Sequence, residues 1–487
     1  MDNRLVRLVL ETIAAASLLV MLSCAAAKAP EPASKASSPD SRAVATADTL
    51  TVGQFGSIQI YRPSGPARQM VIFISGDGGW NEGVVGMAGQ LRDRGALVAG
   101  IDIREFFRGI NAGAEKCAYL AADLERLSRL IQQREGLTEY HYPILVGYSS
   151  GATLVYALLN QAPKGILAGG LSLGFCPDLE LAKPLCKGEQ LAARPRAKGV
   201  GVDLLAVARM NDPWIALQGE QDQVCDAAAT QTYVSAIAGA KVVMLPKVGH
   251  GYGVEKNWVP QFLAAYDALA RAPQTAPAEA PAELGNLPVV EVAATGLQAN
   301  SFVLLITGDG GYAGMDQQIA SGFSAQGQPV AVLNSLKYFW TARTPQQVAD
   351  DVDRMIRHYS ARWHKQKVIL VGYSQGADVM PFILNRLPAS SRQSIATAAL
   401  IGISDNAVFE FHIANWLTDP RGTPTLPELR KLAGLPLTCI YGSEETDSIC
   451  PKLKSTAVRL VELPGGHHFN GDYKSVARAV LAGARGD

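Results

Sequence analysis

No cluster of lysine and arginine stands out in this chain, and 44 basic residues are balanced by 44 acidic ones for a formal net charge of zero. A nucleic-acid partner, which needs a concentrated basic footprint, is thereby set aside. Cysteine is sparse at seven residues, and no Cys-x-x-Cys pair or Cys-His cluster suggests a metal site. The Gly-Lys-Ser/Thr ending of a phosphate-cradling loop is missing too. The N-terminal apolar stretch, residues 8–22, is broken by Glu11 and Thr12 and falls short of the about 20 residues a bilayer span takes.

What is there begins with export. Arg4 and Arg7 precede that apolar stretch, and small residues follow it from Ser23, the pattern of a secretory signal. Met21-Leu22-Ser23-Cys24 resembles an imperfect lipoprotein box. A cleaved signal, a lipid on Cys24 and an uncleaved anchor therefore stay open, and all three export the chain. Residues 30–48, rich in Ala, Ser and Pro, lack the apolar content for a core and read as a tether.

The organising stretch is Val368-Ile369-Leu370-Val371-Gly372-Tyr373-Ser374-Gln375-Gly376-Ala377-Asp378. An apolar run too short for a helix ends in Gly-x-Ser-x-Gly and turns amphipathic, which predicts a buried strand, a sharp turn and a helix. Ser374 would stand at the helix N-terminus, where a histidine can take its proton and backbone N–H groups can hold an oxyanion. The stretch recurs as Ile144-Leu145-Val146-Gly147-Tyr148-Ser149-Ser150-Gly151-Ala152.

Other segments recur with it. Ser75-Gly76-Asp77-Gly78-Gly79-Trp80 is echoed by Thr307-Gly308-Asp309-Gly310-Gly311-Tyr312, each after an apolar strand. Ser149 to Asp222 and Ser374 to Asp447 are both 73 residues apart. The chain is thus an internal duplication. The expected fold class is α/β: two tandem α/β-hydrolase-like domains, each a mainly parallel sheet flanked by helices. In the first copy strands are expected at residues 71–74, 97–101, 144–146, 214–217 and 242–245. The boundaries follow: signal 1–29, tether 30–48, first domain 49–270, Pro/Ala-rich linker 271–286 and second domain 287–487.

Each copy offers a serine, an acid and a histidine in the chain order of α/β-hydrolases. In the first they are Ser149, Asp222 and His250; in the second, Ser374, Asp447 and His467, with His468 the competing neighbour. The acid would fix the imidazole tautomer while the imidazole serves as base. Gly78 with Ser150, and Gly310 with Gln375, are placed to supply oxyanion-hole N–H groups. Asp77 and Asp309 either bond loop N–H groups or attract a cationic substrate. Cys439 and Cys450 are the only pair within the second copy, and Cys176 with Cys186 is a plausible pair in the first.

The second copy resembles the VirJ domain of the bacterial AcvB/VirJ family through its Gly-Asp-Gly-Gly loop, Tyr338-Phe339-Trp340 with Arg343-Thr344-Pro345, Gly-Tyr-Ser-Gln-Gly-Ala-Asp, Asp447-Ser448-Ile449-Cys450-Pro451 and Leu463-Pro464-Gly465-Gly466-His467-His468-Phe469. The first resembles the N-terminal half of the longer AcvB-type members. Tyr312 departs from the tryptophan expected there, which Trp80 supplies in the first copy. The resemblance implies a periplasmic serine hydrolase, linked to virulence, that removes the lysyl or alanyl group of aminoacyl-phosphatidylglycerol at the membrane surface, with Ser374 as nucleophile and no cofactor. Asp309, Asp378, Glu444 or Glu445 could then hold the substrate ammonium. Asp378 can equally serve the helix N-terminus. The alternatives are an exported binding module without turnover, acting with secreted virulence proteins, and a general carboxylesterase; fold alone does not decide between them.

Overall fold

The computed structural model describes residues 47–113, 116–271, 282–410, 422–432, 434–454 and 456–485. The readings placed on residues 1–46, Cys24 included, and on linker residues 272–281 lie outside the described residues.

The first copy opens with β1 (Asp48–Val52), β2 (Gly56–Tyr61), β3 (Gln69–Ile74), α1 (Glu82–Asp93), β4 (Ala96–Ile101), α2 (Ile103–Ala112) and α3 (Leu120–Arg134). It continues through β5 (Ile144–Tyr148), α4 (Ser150–Gln161) and β6 (Gly169–Leu173) into the short strands β7 (Asp178–Leu179), β8 (Ala193–Pro195) and β9 (Val202–Leu204). It closes with β10 (Arg209–Gly219), α5 (Ala227–Ser235), β11 (Ala238–Leu245) and α6 (Val259–Arg271). The main sheet is ordered β1-β2-β4-β3-β5-β6-β10-β11, antiparallel only where β1 meets β2 and β2 meets β4. Strands β7, β9 and β8 form a separate antiparallel sheet that the sequence pattern did not announce.

The second copy repeats this plan with β12 (Val289–Val292), β13 (Ser301–Ile306), α7 (Gly314–Ser324), β14 (Val330–Leu333), α8 (Ser335–Tyr338), α9 (Pro345–Trp363) and β15 (Lys367–Tyr373). There follow α10 (Gln375–Arg386), α11 (Ala389–Ser394), β16 (Ile395–Ile401), β17 (Asn406–Ala407), β18 (Thr423–Pro424), α12 (Thr425–Leu429), β19 (Leu437–Gly442), β20 (Arg459–Leu463) and α13 (Tyr473–Arg485). Its sheet order, β12-β14-β13-β15-β16-β19-β20, matches β2-β4-β3-β5-β6-β10-β11 strand for strand. Only β12 against β14 is antiparallel. Leu284, assigned to the linker by composition, is already buried in the second core.

The central strands are apolar throughout because both of their faces are covered. In β3, Met70, Ile72 and Ile74 face the layer that holds α3 and α4, whereas Val71 and Phe73 face α1 and α6. In β13, Phe302, Leu304 and Ile306 pack with α9 and α10, and Val303 and Leu305 with α7 and α13. The Arg343-Thr344-Pro345 motif starts α9: Thr344 and Gln347 form a reciprocal capping box and Pro345 takes the first turn, where its missing N–H costs nothing.

The copies also pack on each other. Leu336 and Trp340 of the second copy join the apolar layer containing Tyr140 and Tyr142 of the first. The Trp340 indole N–H donates to the Leu137 carbonyl at 2.8 Å, and its ring centroid lies 5.2 Å from that of Tyr140. Among the described residues no helix is long and apolar enough to cross a membrane.

Candidate active site

Both serines sit where a strand turns into a helix, Ser149 between β5 and α4 and Ser374 between β15 and α10. Their backbones are alike, with φ 55° and ψ −124° at Ser149 and φ 51° and ψ −118° at Ser374. Positive φ is costly for a residue with a side chain and persists only where its surroundings impose it. The neighbouring glycines impose it here. A Cβ on Gly372 would lie 2.3 Å from the Gly376 carbonyl oxygen, and one on Gly376 would lie 2.1 Å from that of Ile306. The first helical amides have no carbonyl partner within their own helix and face the serine.

In the first copy the expected three residues meet. The Ser149 hydroxyl is 3.0 Å from His250 Nε2, and His250 Nδ1 is 2.8 Å from Asp222 Oδ2. Asp222 is buried and held from its other side: Oδ1 accepts from the N–H groups of Val224 and Cys225, and Oδ2 also accepts from the Gln218 amide. The Tyr148 hydroxyl donates to the His250 carbonyl at 2.9 Å, steadying the loop that carries the imidazole.

In the second copy His467, rather than His468, occupies the matching place. The Gly402 and Gly174 positions report the same neighbourhood, since a Cβ on either would touch His467 or His250 respectively. The acid, however, is not Asp447. Glu445 Oε1 is 2.5 Å from His467 Nδ1, and Oε2 accepts from the Gly442 N–H at 3.0 Å, whereas Asp447 is exposed. The 73-residue spacing misleads because the chain from the serine to the strand-end glycine runs 70 residues in the first copy, Ser149 to Gly219, and 68 in the second, Ser374 to Gly442. Counted from the strand-end glycine, Asp222 and Glu445 are both third, and both N–H groups close the same turn, onto the Gly219 and Gly442 carbonyls. Glu445 is therefore the imidazole's partner and not an ammonium ligand.

Burial lowers the His467 imidazole pKa, but the hydrogen bond and charge of Glu445, with Asp447 and Asp378 adding to them, leave it raised above its usual value. Burial likewise opposes ionisation of Glu445, and the bonds from His467 and Gly442 reverse that and lower its pKa. No hydrogen bond joins Ser374 to His467 among the described residues. The two share the wall of one cavity of about 580 Å³, which His468 and Tyr373 also line.

That cavity lies below the Gly308-Asp309-Gly310-Gly311 loop and is closed from the other side by the first copy, through Tyr119, Glu125, Arg129, Pro163 and Ile166. Asp309 opens onto it but is paired, Oδ2 to the Arg129 guanidinium at 3.1 Å. The matching Asp77 accepts from the Ser150 hydroxyl at 2.6 Å. Asp378 is not in the cavity wall. It accepts from the N–H and hydroxyl of Ser404 at 2.7 and 3.0 Å, and burial, against those bonds, pushes its pKa up to about 7. The assignment of Asp378 to substrate is therefore replaced by a role in fixing the loop after β16.

Two of the three disulfides flank the acids. Cys439–Cys450 forms as expected, while the first copy pairs Cys117 with Cys186 and Cys176 with Cys225, not Cys176 with Cys186. Cys225 follows Asp222 and donates to it, so the Cys176–Cys225 bridge ties the acid's turn to the end of β6. In the second copy the bridge ties the segment after Glu445 back to β19.

The geometry sets the two acids of the second copy apart by their reactivity. Glu445→Gln, which destroys the tautomer control, is expected to slow fluorophosphonate labelling of Ser374 by about 100-fold or more. Asp447→Asn should change it by no more than about threefold, as for other exposed charges. The reverse order would return the role to Asp447.

Comparison with curated proteins gives no match. Among solved structures the chain is similar to an α/β serine hydrolase homologue from Coxiella burnetii, 19% identical over 46% of this chain and 97% of that one, with a TM-score of 0.30. It is similar to an α/β serine hydrolase without lid from Xanthomonas campestris, 19% identical over 46% and 92%, with a TM-score of 0.29. An esterase domain from Rhodothermus marinus is 15% identical over 44% and 92%, with a TM-score of 0.30. The model of the bacterial virulence protein (VirJ) family matches residues 68–168 and 300–486, parts of both copies and more than half of the chain. The chain belongs to the VirJ family.

Proposed function

We propose that the protein is a serine hydrolase of carboxylic esters, and that the Ser374 centre removes the aminoacyl group of aminoacyl-phosphatidylglycerol. The observation that carries the hydrolase reading is the hydrogen-bonded series Ser149, His250 and Asp222, repeated in outline by His467 and Glu445 beside Ser374. A serine at a helix N-terminus, an imidazole and a buried acid have a chemical use together that none has alone. The open distance at Ser374 is compatible with this, since catalytic hydrogen bonds often tighten only when substrate binds.

In this reading Ser374 Oγ attacks the aminoacyl carbonyl carbon while His467 Nε2 takes the hydroxyl proton. The N–H groups of Gln375 and Gly310 hold the oxyanion. Collapse breaks the ester bond, and His467 returns its proton to the departing glycerol oxygen of phosphatidylglycerol. Water, deprotonated by the same imidazole, then frees the amino acid and restores the serine. Glu189 lines the cavity and suits a substrate ammonium, beside the apolar wall of Pro163, Ile166 and Met315, while Glu125 and Asp309 are engaged by Arg129. Ser149 would run the same type of reaction on an ester other than the aminoacylated lipid. Export to the periplasm is part of the proposal. Its support is the N-terminal sequence pattern, with three disulfides of the kind that persist in an oxidising compartment.

Ser374→Ala is expected to abolish release of lysine or alanine from the aminoacylated lipid in vesicles, with Ser149→Ala retaining it; full release by Ser374→Ala would move the activity to the first copy. The pH profile carries a sign as well. A raised His467 pKa keeps the imidazole protonated, and unable to act as base, to higher pH. Acylation of Ser374 should therefore rise with pH through an apparent pKa above the usual 6.5 of a histidine, and a limb at or below 6.5 would contradict the Glu445 pairing.

A further inference from the structure

The two oxyanion loops are braced in different ways. In the first copy Asp77 is held by the hydroxyl of Ser150, the residue after its own serine. The second copy has Gln375 at that place, and its amide turns away to donate to the Val408 carbonyl at 3.2 Å. Asp309 is instead held by Arg129, which comes from α3 of the other copy, 180 residues away. Arg129 is nearly buried, its side chain 4% exposed, while that of Asp309 is 59% exposed. Glu125, one turn earlier on α3, grips the same guanidinium.

We propose that Arg129 is a positioning residue for the second copy's centre: it fixes the Gly308–Gly311 loop over Ser374 across the contact between the copies. The first copy is then a structural part of the Ser374 site, whatever Ser149 does. The physical case is that an oxyanion hole works only when its donors are held before the charge forms. The loop glycines Gly308, Gly310 and Gly311 supply no side chains to hold it; besides the Gly308 N–H, which donates to Asp316 Oδ1 at 3.4 Å, the Asp309 carboxylate is its side-chain handle, and α3 supplies the cation. The planar guanidinium can meet Glu125 and Asp309 at once, as an ammonium on a flexible stem does less well. The contact lies in the cavity itself: the Cβ of a residue at Gly310 would come within 3.7 Å of Arg129 Nη2.

This inference rests on Ser374 being a nucleophile, and the test separates the two. Fluorophosphonate labelling of the full chain, read as separate rates for the Ser374 and Ser149 peptides by mass spectrometry, gives each molecule its own control. Arg129→Met, which keeps the volume of the side chain and drops its charge, is expected to slow labelling of Ser374 about tenfold or more and leave Ser149 at its original rate. Arg129→Lys, which keeps a charge but not the planar fork, should recover only part of the lost rate. If Arg129→Met fails to fold, Glu125→Gln with Arg129→Met removes the stranded buried charge and carries the same expectation. An undiminished Ser374 rate in the charge-free variants overturns the proposal, as does equal slowing of both serines, which would assign Arg129 to the packing of α3. Absence of label on Ser374 in the unaltered chain overturns the hydrolase reading of that centre, and this proposal with it.

Discussion

The close approach of helix to strand at each serine is the constraint on which the rest depends. At Gly372 and Gly376 there is no space for a single carbon, because the strand, the turn and the neighbouring strand β13 meet backbone to backbone. That contact tips Ser374 into positive φ, lifts its hydroxyl clear of the sheet and aims the free amides of α10 at the same point. The flanking loops then need only bring an imidazole and an acid to one end of the sheet. In doubly wound folds all loops after the parallel strands converge there. The same contact at Gly147 and Gly151 builds the first centre.

Much of this was legible because it is written in local patterns. Apolar runs gave the central strands, the Gly-x-Ser-x-Gly repeats gave both turns, and chain order gave His250 and Asp222. The antiparallel strands β1 and β2 carry mixed polarity, and β6 opens with two glycines, so none of them announces itself. The choice of acid in the second copy failed for a more instructive reason. Counting from the serine crosses a helix, a strand and loops whose lengths differ between copies, whereas counting from the strand-end Gly219 and Gly442 crosses only one tight turn. A Gly-x-x-acid pattern links Asp222 and Glu445, and the equal 73-residue spacing to Asp447 masks it. Arg129 had no signal at all, since its partner Asp309 is 180 residues distant and joined to it only by the packing of the two copies.

Duplication usually gives two equivalent units, but these two have diverged in how they hold their catalytic parts. The first copy is self-contained: Ser150 braces Asp77, and a disulfide beside Asp222 anchors its turn. The second borrows. Its cavity is closed by α3 and by Pro163 and Ile166, and its Trp340 is lodged in the apolar layer of its neighbour.

The most direct measurement of the central claim is a crystal structure of the full chain after reaction with a fluorophosphonate. The account predicts a phosphonyl group on Ser374 Oγ, its oxygen within hydrogen-bond distance of the Gln375 and Gly310 N–H groups, and His467 still bonded to Glu445. An adduct whose phosphonyl oxygen points away from both amides, or a His467 that has left Glu445 for Asp447, would contradict it.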